Sequence, residues 1–502
     1  MDLMLHGFTE AFQFGTLILI ILGVLAGILI GSLPGLTATM GVALFLPISL
    51  GLDAIGGIVL LIAVYFGSIY GGSIAAILLN TPGTPASAAS ALDGYPMTQK
   101  GEAGKALAIA AIASGAGGLI STLMLTLISP QLSTVALRFS APESFALALF
   151  GLSIISSISG KSVLKGLAVG VFGLAIATVG MDPMTSYPRF TFDHPSLLTG
   201  VNFIPVMIGL FAFAEALIQI EKHLKVKEIT KSITANYVMP KWRELKNIWV
   251  AVIRSSFIGT FIGSIPGAGA DIASFVAYNE AKRFSKKDEK ETFGHGNPKG
   301  LASAEAGNNG VTGGAMVPLL TLGIPGDAVA AVLLGALMIH GMRPGPMLFV
   351  DNAEMVYTLF AGMFIAAVLV TIFGLLGVKL FTKVLNVPKR ILLPTILVLS
   401  VVGAYAIGNN YFDVYVMLIA GVIGYFMKKY GYPASPLVLA LILGPMAESE
   451  MRRALVMSEG SYAIFFTRPI AATLIALAVI SMIAPIIFRY VQYRKEQNAS
   501  ES

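Results

Sequence analysis

The sequence contains no cysteine, which excludes disulfide staples, thiolate nucleophiles and cysteine-ligated metal and leaves the redox compartment unreadable. Charge is scarce as well: Asp, Glu, Lys and Arg make up 12% of the 502 residues, where soluble globular domains carry roughly a quarter. Lysine and arginine are absent altogether before Lys100. Of the five histidines, His194, His223 and His295 stand in loop-like contexts, which leaves a metalloenzyme little to build with; His340, before Gly341, is the exception. No His-Glu-x-x-His or Gly-x-Ser-x-Gly occurs, and Ser159-Gly160-Lys161-Ser162 has Ile155 where a phosphate loop needs its leading glycine. ATP-driven transport by this chain is therefore unsupported.

What is present is apolar sequence, at 56% of all residues. Gly15 to Pro34, Ala54 to Leu79, Met355 to Phe381 and Ile464 to Phe488 each reach the ~20 residues that cross ~30 Å of hydrocarbon as helix. Lipid offers the backbone no hydrogen bonds, and these runs are too long and unalternating for barrel strands. The expected fold class is an all-α integral membrane protein of roughly 12 membrane helices plus broken or re-entrant hairpins. The apolar stretch from Phe12 to Ile30 lacks a basic n-region and reads as an uncleaved first helix. The net charge of +6 points to no nucleic acid, because the cations concentrate in short loops, where they report topology.

Those loops are Lys222 to Lys246, Lys282 to Lys299, Lys383 to Arg390 and Lys428 to Lys429, all placed in the cytoplasm by the positive-inside rule. The expected organisation is a first membrane repeat over 1–220, a basic cytoplasmic connector over 221–247, a second membrane repeat over 248–490 and a polar cytoplasmic tail over 491–502. Gly27-Ile-Leu-Ile-Gly31-Ser32-Leu-Pro34-Gly35 matches Gly259-Thr-Phe-Ile-Gly263-Ser264-Ile-Pro266-Gly267 at six of nine positions. Asn80-Thr81-Pro82-Gly83-Thr84 corresponds in the same order to Gly323-Ile324-Pro325-Gly326-Asp327. Basic clusters flank Ile248 to Ala281 on both sides, so it should enter and leave from the cytoplasm, with arms of about 17 and 14 residues and Pro266-Gly267 at the tip. Its counterpart, Gly15 to Leu50, has no flanking basic residue, which suits the opposite side and an inverted repeat. Parallel repeats of unbroken, kinked helices are the alternative.

A Pro-Gly pair in mid-membrane frees carbonyls, tolerated only where protein or a wet cavity replaces the lost partner. Beside the four breaks lie Ser32, Thr37 and Thr39; Asn80, Thr81 and Thr84; Ser264 and Asp271; and Thr321 and Asp327. Helix N-termini after each Pro-Gly would face a bound anion, and loosened carbonyls and hydroxyls would hold a sodium ion. The candidate substrate site is Ser32, Pro34, Gly35, Thr37, Asn80, Thr81, Pro82, Gly83, Thr84, Ser264, Pro266, Gly267, Pro325 and Gly326; the candidate coupling-ion ligands are Asp271, Glu305, Asn308, Asn309 and Asp327. The bland reading is that Pro-Gly kinks and the stripe Gly23, Gly27, Gly31, Gly35 only let helices pack closely. Loop edges would account for Glu143 and Glu215, and Glu305 reads either as a cap opening a helix or as a cation ligand. No metal other than sodium, no cofactor and no catalytic residue is expected.

Two rival classes share these features. Gly267-Ala-Gly269-Ala-Asp271 approaches the Gly-x-Gly-Asp of intramembrane aspartyl proteases, but the spacing is one residue too long and Tyr411-Phe412-Asp413 does not supply the Tyr-Asp partner. A channel with glycine-rich re-entrant loops is the other; the halves differ in polar residues, which suits one central site with alternating access better than a symmetric pore.

At GSLPGLTATMGVALFLP (from Gly31), YGGSIAAILLNTPGTPASAASALDGYPM (from Tyr70), GSIPGAGADIASFVAYNEAKRFSK (from Gly263) and EAGNNGVTGGAMVPLLTLGIPGDAVAAVLLGALMIHGMRPGP (from Glu305), the chain resembles the large membrane subunit of the tripartite tricarboxylate transporters, over nearly its whole length. The resemblance implies a cation-coupled carboxylate symporter of the cell inner membrane. Its partners would be a small four-helix membrane subunit and an extracytoplasmic solute-binding protein, its motion elevator-like, and a homodimer is left open. Two departures bear on substrate. Lys299-Gly300-Leu301-Ala302-Ser303-Ala304-Glu305 stands where the family shows Glu-Gly-Val-x-Ala-Pro-Glu, and Asp271 and Asp327 replace small or hydroxyl residues. Two carboxylates near the tips would repel a trianion, which favours a smaller or less charged acid or a proton-coupled variant.

Overall fold

The computed structural model describes residues 2–33, 36–153, 162–182, 184–225, 238–266, 269–377 and 389–483. Nearly all of them are helical, and the chain divides into two compact units, each drawn from both halves of the sequence: 1–134 with 211–410, and 135–210 with 411–502. Among the described residues seven helices are long and apolar enough to cross a membrane, against roughly twelve expected; shorter apolar helices stand at Ala38–Ser49, Val163–Ala177, Ala328–Ile339, Leu393–Ile407 and Pro469–Ile483.

The first unit opens with α1 (Asp2–Ala11), α2 (Phe14–Ser32), α3 (Ala38–Ser49), α4 (Ala54–Leu79), α5 (Ala88–Gln99) and α6 (Ala103–Ala136). The second unit holds α7 (Ala141–Ser153), α8 (Val163–Ala177) and the short α9 (Phe203–Met207). The first unit resumes with α10 (Ala214–Lys225), α11 (Trp242–Ser264), α12 (Gly269–Phe284), α13 (Pro298–Leu322), α14 (Ala328–Ile339), α15 (Ala353–Leu376) and α16 (Lys389–Gly408), and the second closes with α17 (Tyr411–Lys429) and α18 (Ser435–Met457).

Within the first unit two stretches run alike. A helix breaks and restarts, a long buried helix follows, breaks and restarts: α2, α3, α4 and α5 in one, α11, α12, α13 and α14 in the other. Glycine sets the close pairing in both, because a Cβ at Gly27 or Gly31 would collide with the carbonyl oxygen of Val64 or Ser68 on α4, and one at Gly259 with that of Gly307 on α13. Chain direction reverses by the same device at the ends of α4 and α13. Asn80 (φ 54°) and Gly323 (φ 71°) are left-handed, and the following N–H of Thr81 and of Ile324 returns to Ala75 O at 3.4 Å and Pro318 O at 3.2 Å. Pro82 and Pro325 then forbid the helix to continue.

The two stretches are stitched together away from the breaks. Asp93 on α5 is fully buried, and its Oδ1 accepts the N–H groups of Gly294, Gly296 and Asn297, each at 2.8 Å. The turn entering α13 is thereby clasped to α5. Lys105 at the start of α6 reaches Glu244 at the start of α11 at 2.6 Å.

In the second unit α18 packs on α7 and α8. A small antiparallel hairpin, Gly180–Met181 with Pro188–Arg189, is locked to α18 by an ion network. Arg189 holds Glu448 through both guanidinium nitrogens (2.7 and 3.1 Å) and Asp182 at 3.3 Å, and Arg452 reaches Asp182 at 3.0 Å. The Pro-Gly positions 34–35, Gly267, the centre of the connector and the 491–502 tail lie outside the described residues.

Candidate functional site

All four breaks lie in the first unit, and they meet in pairs. Gly83, in the second break, lies so close to Gly31, at the first, that a methyl group would strike the Gly31 carbonyl oxygen. Gly326, in the fourth break, would meet the Gly263 carbonyl oxygen, at the third, at 2.6 Å and Ala315 Cα at 2.6 Å. These glycines are there because two backbones occupy the same space, which agrees with the packing reading for them; close approach also brings the ends of four helices together in pairs.

At the first break Ser32 is buried and donates to Leu29 O at 2.8 Å, while Thr37 caps α3 by accepting the Met40 N–H at 3.2 Å; Thr39 lies half-buried two residues on. At the second, Asn80 and Thr81 are exposed, Pro82 is half-buried, and Gly83 and Thr84 are buried. At the third, Ser264 closes α11 with its hydroxyl on Phe261 O at 2.7 Å, Pro266 is half-buried, and Asp271 stands exposed in the first turn of α12. At the fourth, Thr321, Pro325 and Gly326 are buried, and Asp327 caps α14, taking the Ala330 N–H at 2.7 Å and the Tyr65 O–H at 2.9 Å.

Glu305 is not a helix-opening cap. Asn297 performs that task, accepting the N–H of Lys299 at 2.8 Å and of Gly300 at 3.3 Å, and Glu305 lies well inside α13 at 0% exposure. Its carboxyl is held by hydroxyls among the described residues: Ser90 donates to one oxygen and Ser114 to the other at 2.8 Å. Asn309 extends this chain by donating to Ser114 Oγ at 2.9 Å and to the Glu305 carbonyl at 3.1 Å. Asn308 is also fully buried, yet neither its carbonyl oxygen nor its amide nitrogen has a partner among the described residues, and the hydroxyl of Thr84 has none either. Buried polar atoms are costly unless something satisfies them, and the hydroxyls of Ser68, Ser73 and Ser303 are likewise unpartnered among the described residues.

The remaining acidic candidates are structural. Glu143 accepts the Ser140 N–H at 2.9 Å and pairs with Arg468 at 2.9 Å; Glu215 accepts from Gln219 at 2.8 Å. His340 ends α14 with a ring nitrogen 3.3 Å from Ser49 Oγ. Sequence reasoning missed Ser90, Ser114, Tyr65 and Asp93. The two serines sit among alanines and glycines with no distinguishing neighbour; Tyr65, a phenol inside the long apolar run of α4, was the one legible signal.

Comparison with known proteins identifies the family. Residues 17–439 match the model of the tripartite tricarboxylate transporter TctA family. The chain is 38% identical over 484 residues, 96% of its own length and 95% of the other, to an uncharacterised 52.8 kDa protein in the TAR-I ttuC' 3' region of Agrobacterium vitis. It is also 37% identical over 229 residues, 46% of its length and 94% of the other, to an uncharacterised protein in the TAR-II ttuC' 3' region of the same organism. The chain therefore belongs to the TctA family of tripartite tricarboxylate transporters, and is the large, multi-pass membrane subunit of a transporter rather than an enzyme.

Proposed function

We propose that this subunit imports a small organic carboxylate, driven by a sodium gradient, with substrate and ion held at the paired helix breaks. The observation that carries the reading is the pairing itself: interrupted helices abutting at Gly31 with Gly83 and at Gly263 with Gly326, in two stretches of like order. Helix N-termini after the breaks favour a carboxylate, and buried oxygens beside them favour a cation. Ser32, Thr37 and Ser264 with the backbone of Pro34-Gly35, Pro82-Gly83, Pro266-Gly267 and Pro325-Gly326 form the substrate side; Glu305, Asn308, Asn309 and Asp271 supply the ion side.

The two stretches act as inverted repeats in the inner membrane, and the first unit, which carries every break, is the part that moves elevator-fashion. The extracytoplasmic binding protein delivers the acid and the small four-helix subunit completes the assembly. Asp271 and Asp327 add negative charge near the tips, so a mono- or dicarboxylate fits better than a trianion.

Uptake of radiolabelled organic acids into proteoliposomes tests this, with the binding protein and small subunit present, across a sodium gradient, in wild type and Asp271→Asn. Sodium-dependent accumulation that requires the binding protein and falls in the variant is the expected result. Free ion leak with no acid accumulated under any gradient would replace the transporter by a channel.

A further inference from the structure

The two stretches correspond residue by residue at their second breaks: Asn80 with Gly323 as left-handed ends, Gly83 with Gly326 against a facing carbonyl, and Thr84 with Asp327 at the restart of a helix. The same register sets Tyr65 on α4 against Asn308 on α13. Across the two stretches one pair is complete, since Tyr65 of the first donates to Asp327 of the second at 2.9 Å. In its crosswise counterpart, Asn308 of the second and the Thr84 hydroxyl of the first are both buried and both unpartnered among the described residues.

The packing of α5 on α13 points to a shared neighbourhood for these orphaned groups. Gly94 lies against Leu301, Ala89 packs with Ala304, and Ser90 donates to Glu305. As α13 advances α5 recedes, so the next helical turn sets Asn308 beside the single 3₁₀ turn Pro85–Ser87 that Thr84 opens, and this turn packs on α13. One turn back lies the Glu305 carboxyl, with the Ser90 and Ser114 hydroxyls on its two oxygens.

We infer that the coupling ion is a single monovalent cation held on one side only, by Asn308 and Thr84 beside Glu305, and that the matching position is closed by the Tyr65–Asp327 hydrogen bond, which is a fixed brace. The inference rests on the cation-coupled reading above and narrows it. Neutral amide and hydroxyl oxygens beside one carboxylate balance one positive charge; a divalent ion would leave an uncompensated charge at membrane depth. Asp327 spends one oxygen on its own helix cap and the other on a phenol of α4, so it ties two helices together.

Binding of radioactive sodium to the purified full-length chain tests this, in wild type, Asn308→Ala, Thr84→Val, Tyr65→Phe, Asp327→Asn and Asn308→Asp, with melting temperature in choline buffer as the control for folding. Asn308→Ala and Thr84→Val should weaken sodium about tenfold or more, the loss of one buried ligand, while Tyr65→Phe and Asp327→Asn lower the melting temperature and leave sodium affinity within about threefold. Asn308→Asp, with a second carboxylate, should let calcium displace sodium, a change of ion preference that a purely structural asparagine would not produce. Sodium binding lost in Asp327→Asn and intact in Asn308→Ala, or no gain of calcium competition in a folded Asn308→Asp, overturns the assignment. No sodium binding by the wild type, in contrast, removes sodium coupling itself.

Discussion

Asp182 illustrates how a single side chain is tuned when it lies outside the apolar helices. The Thr185 N–H, aided by the Met184 N–H, the Thr185 hydroxyl and the Arg452 charge, pulls its carboxyl from 3.8 down to about 2 against the opposing effect of burial. A depressed carboxyl stabilises the fold fully above its unfolded value and loses that contribution as pH falls toward its folded one. The melting temperature of the purified protein should therefore fall more steeply between about pH 4.5 and about pH 2.5 in wild type than in Asp182→Asn. Parallel curves would mean that the Asp182 charge contributes nothing to holding the hairpin.

Between elements, the controlling quantity is how closely two helix backbones approach. Gly259 lies where a Cβ would strike the Gly307 carbonyl, whereas nothing stands within 4 Å of a Cβ at Gly15. Gly259→Ala should cost about 1–3 kcal/mol, seen as a lower melting temperature and reduced recovery of folded protein, because α11 must shift off α13. Gly15→Ala should stay within about 1 kcal/mol of wild type. Equal melting temperatures for the two variants would show that the glycines are incidental. The internal match of the two Gly-Ser-x-Pro-Gly motifs made the helix–break–helix order and its glycine contacts legible beforehand, since backbone collision allows only one residue type. The hydroxyls around Glu305 were not legible: a serine that fills a polar gap and one that merely packs look identical in a run of alanines, and only the facing of α5, α6 and α13 separates them. The same holds for Asp93, whose three partners lie beyond several intervening helices.

For the whole molecule, sidedness can be read directly because the chain carries no cysteine of its own. Single substitutions Tyr187→Cys and His295→Cys should react with a membrane-impermeant maleimide from opposite faces of the cell membrane, Tyr187 from outside, since the basic clusters put the 282–299 loop in the cytoplasm and the 203–221 apolar helix separates the 178–202 segment from the basic connector. Labelling of both from one face would dismantle the inverted arrangement while leaving the family membership untouched.

The clasp at Asp93 also constrains how the protein is made. The three amides that satisfy one oxygen of this carboxylate are 201, 203 and 204 residues farther along the chain. At ~5–20 residues per second, α5 leaves the ribosome roughly 10–40 s before its partners exist. Through that interval Asp93 must stay hydrated at the edge of the bilayer, so α5 reaches its final seat only after the second half has been inserted, and the two halves complete each other late in synthesis.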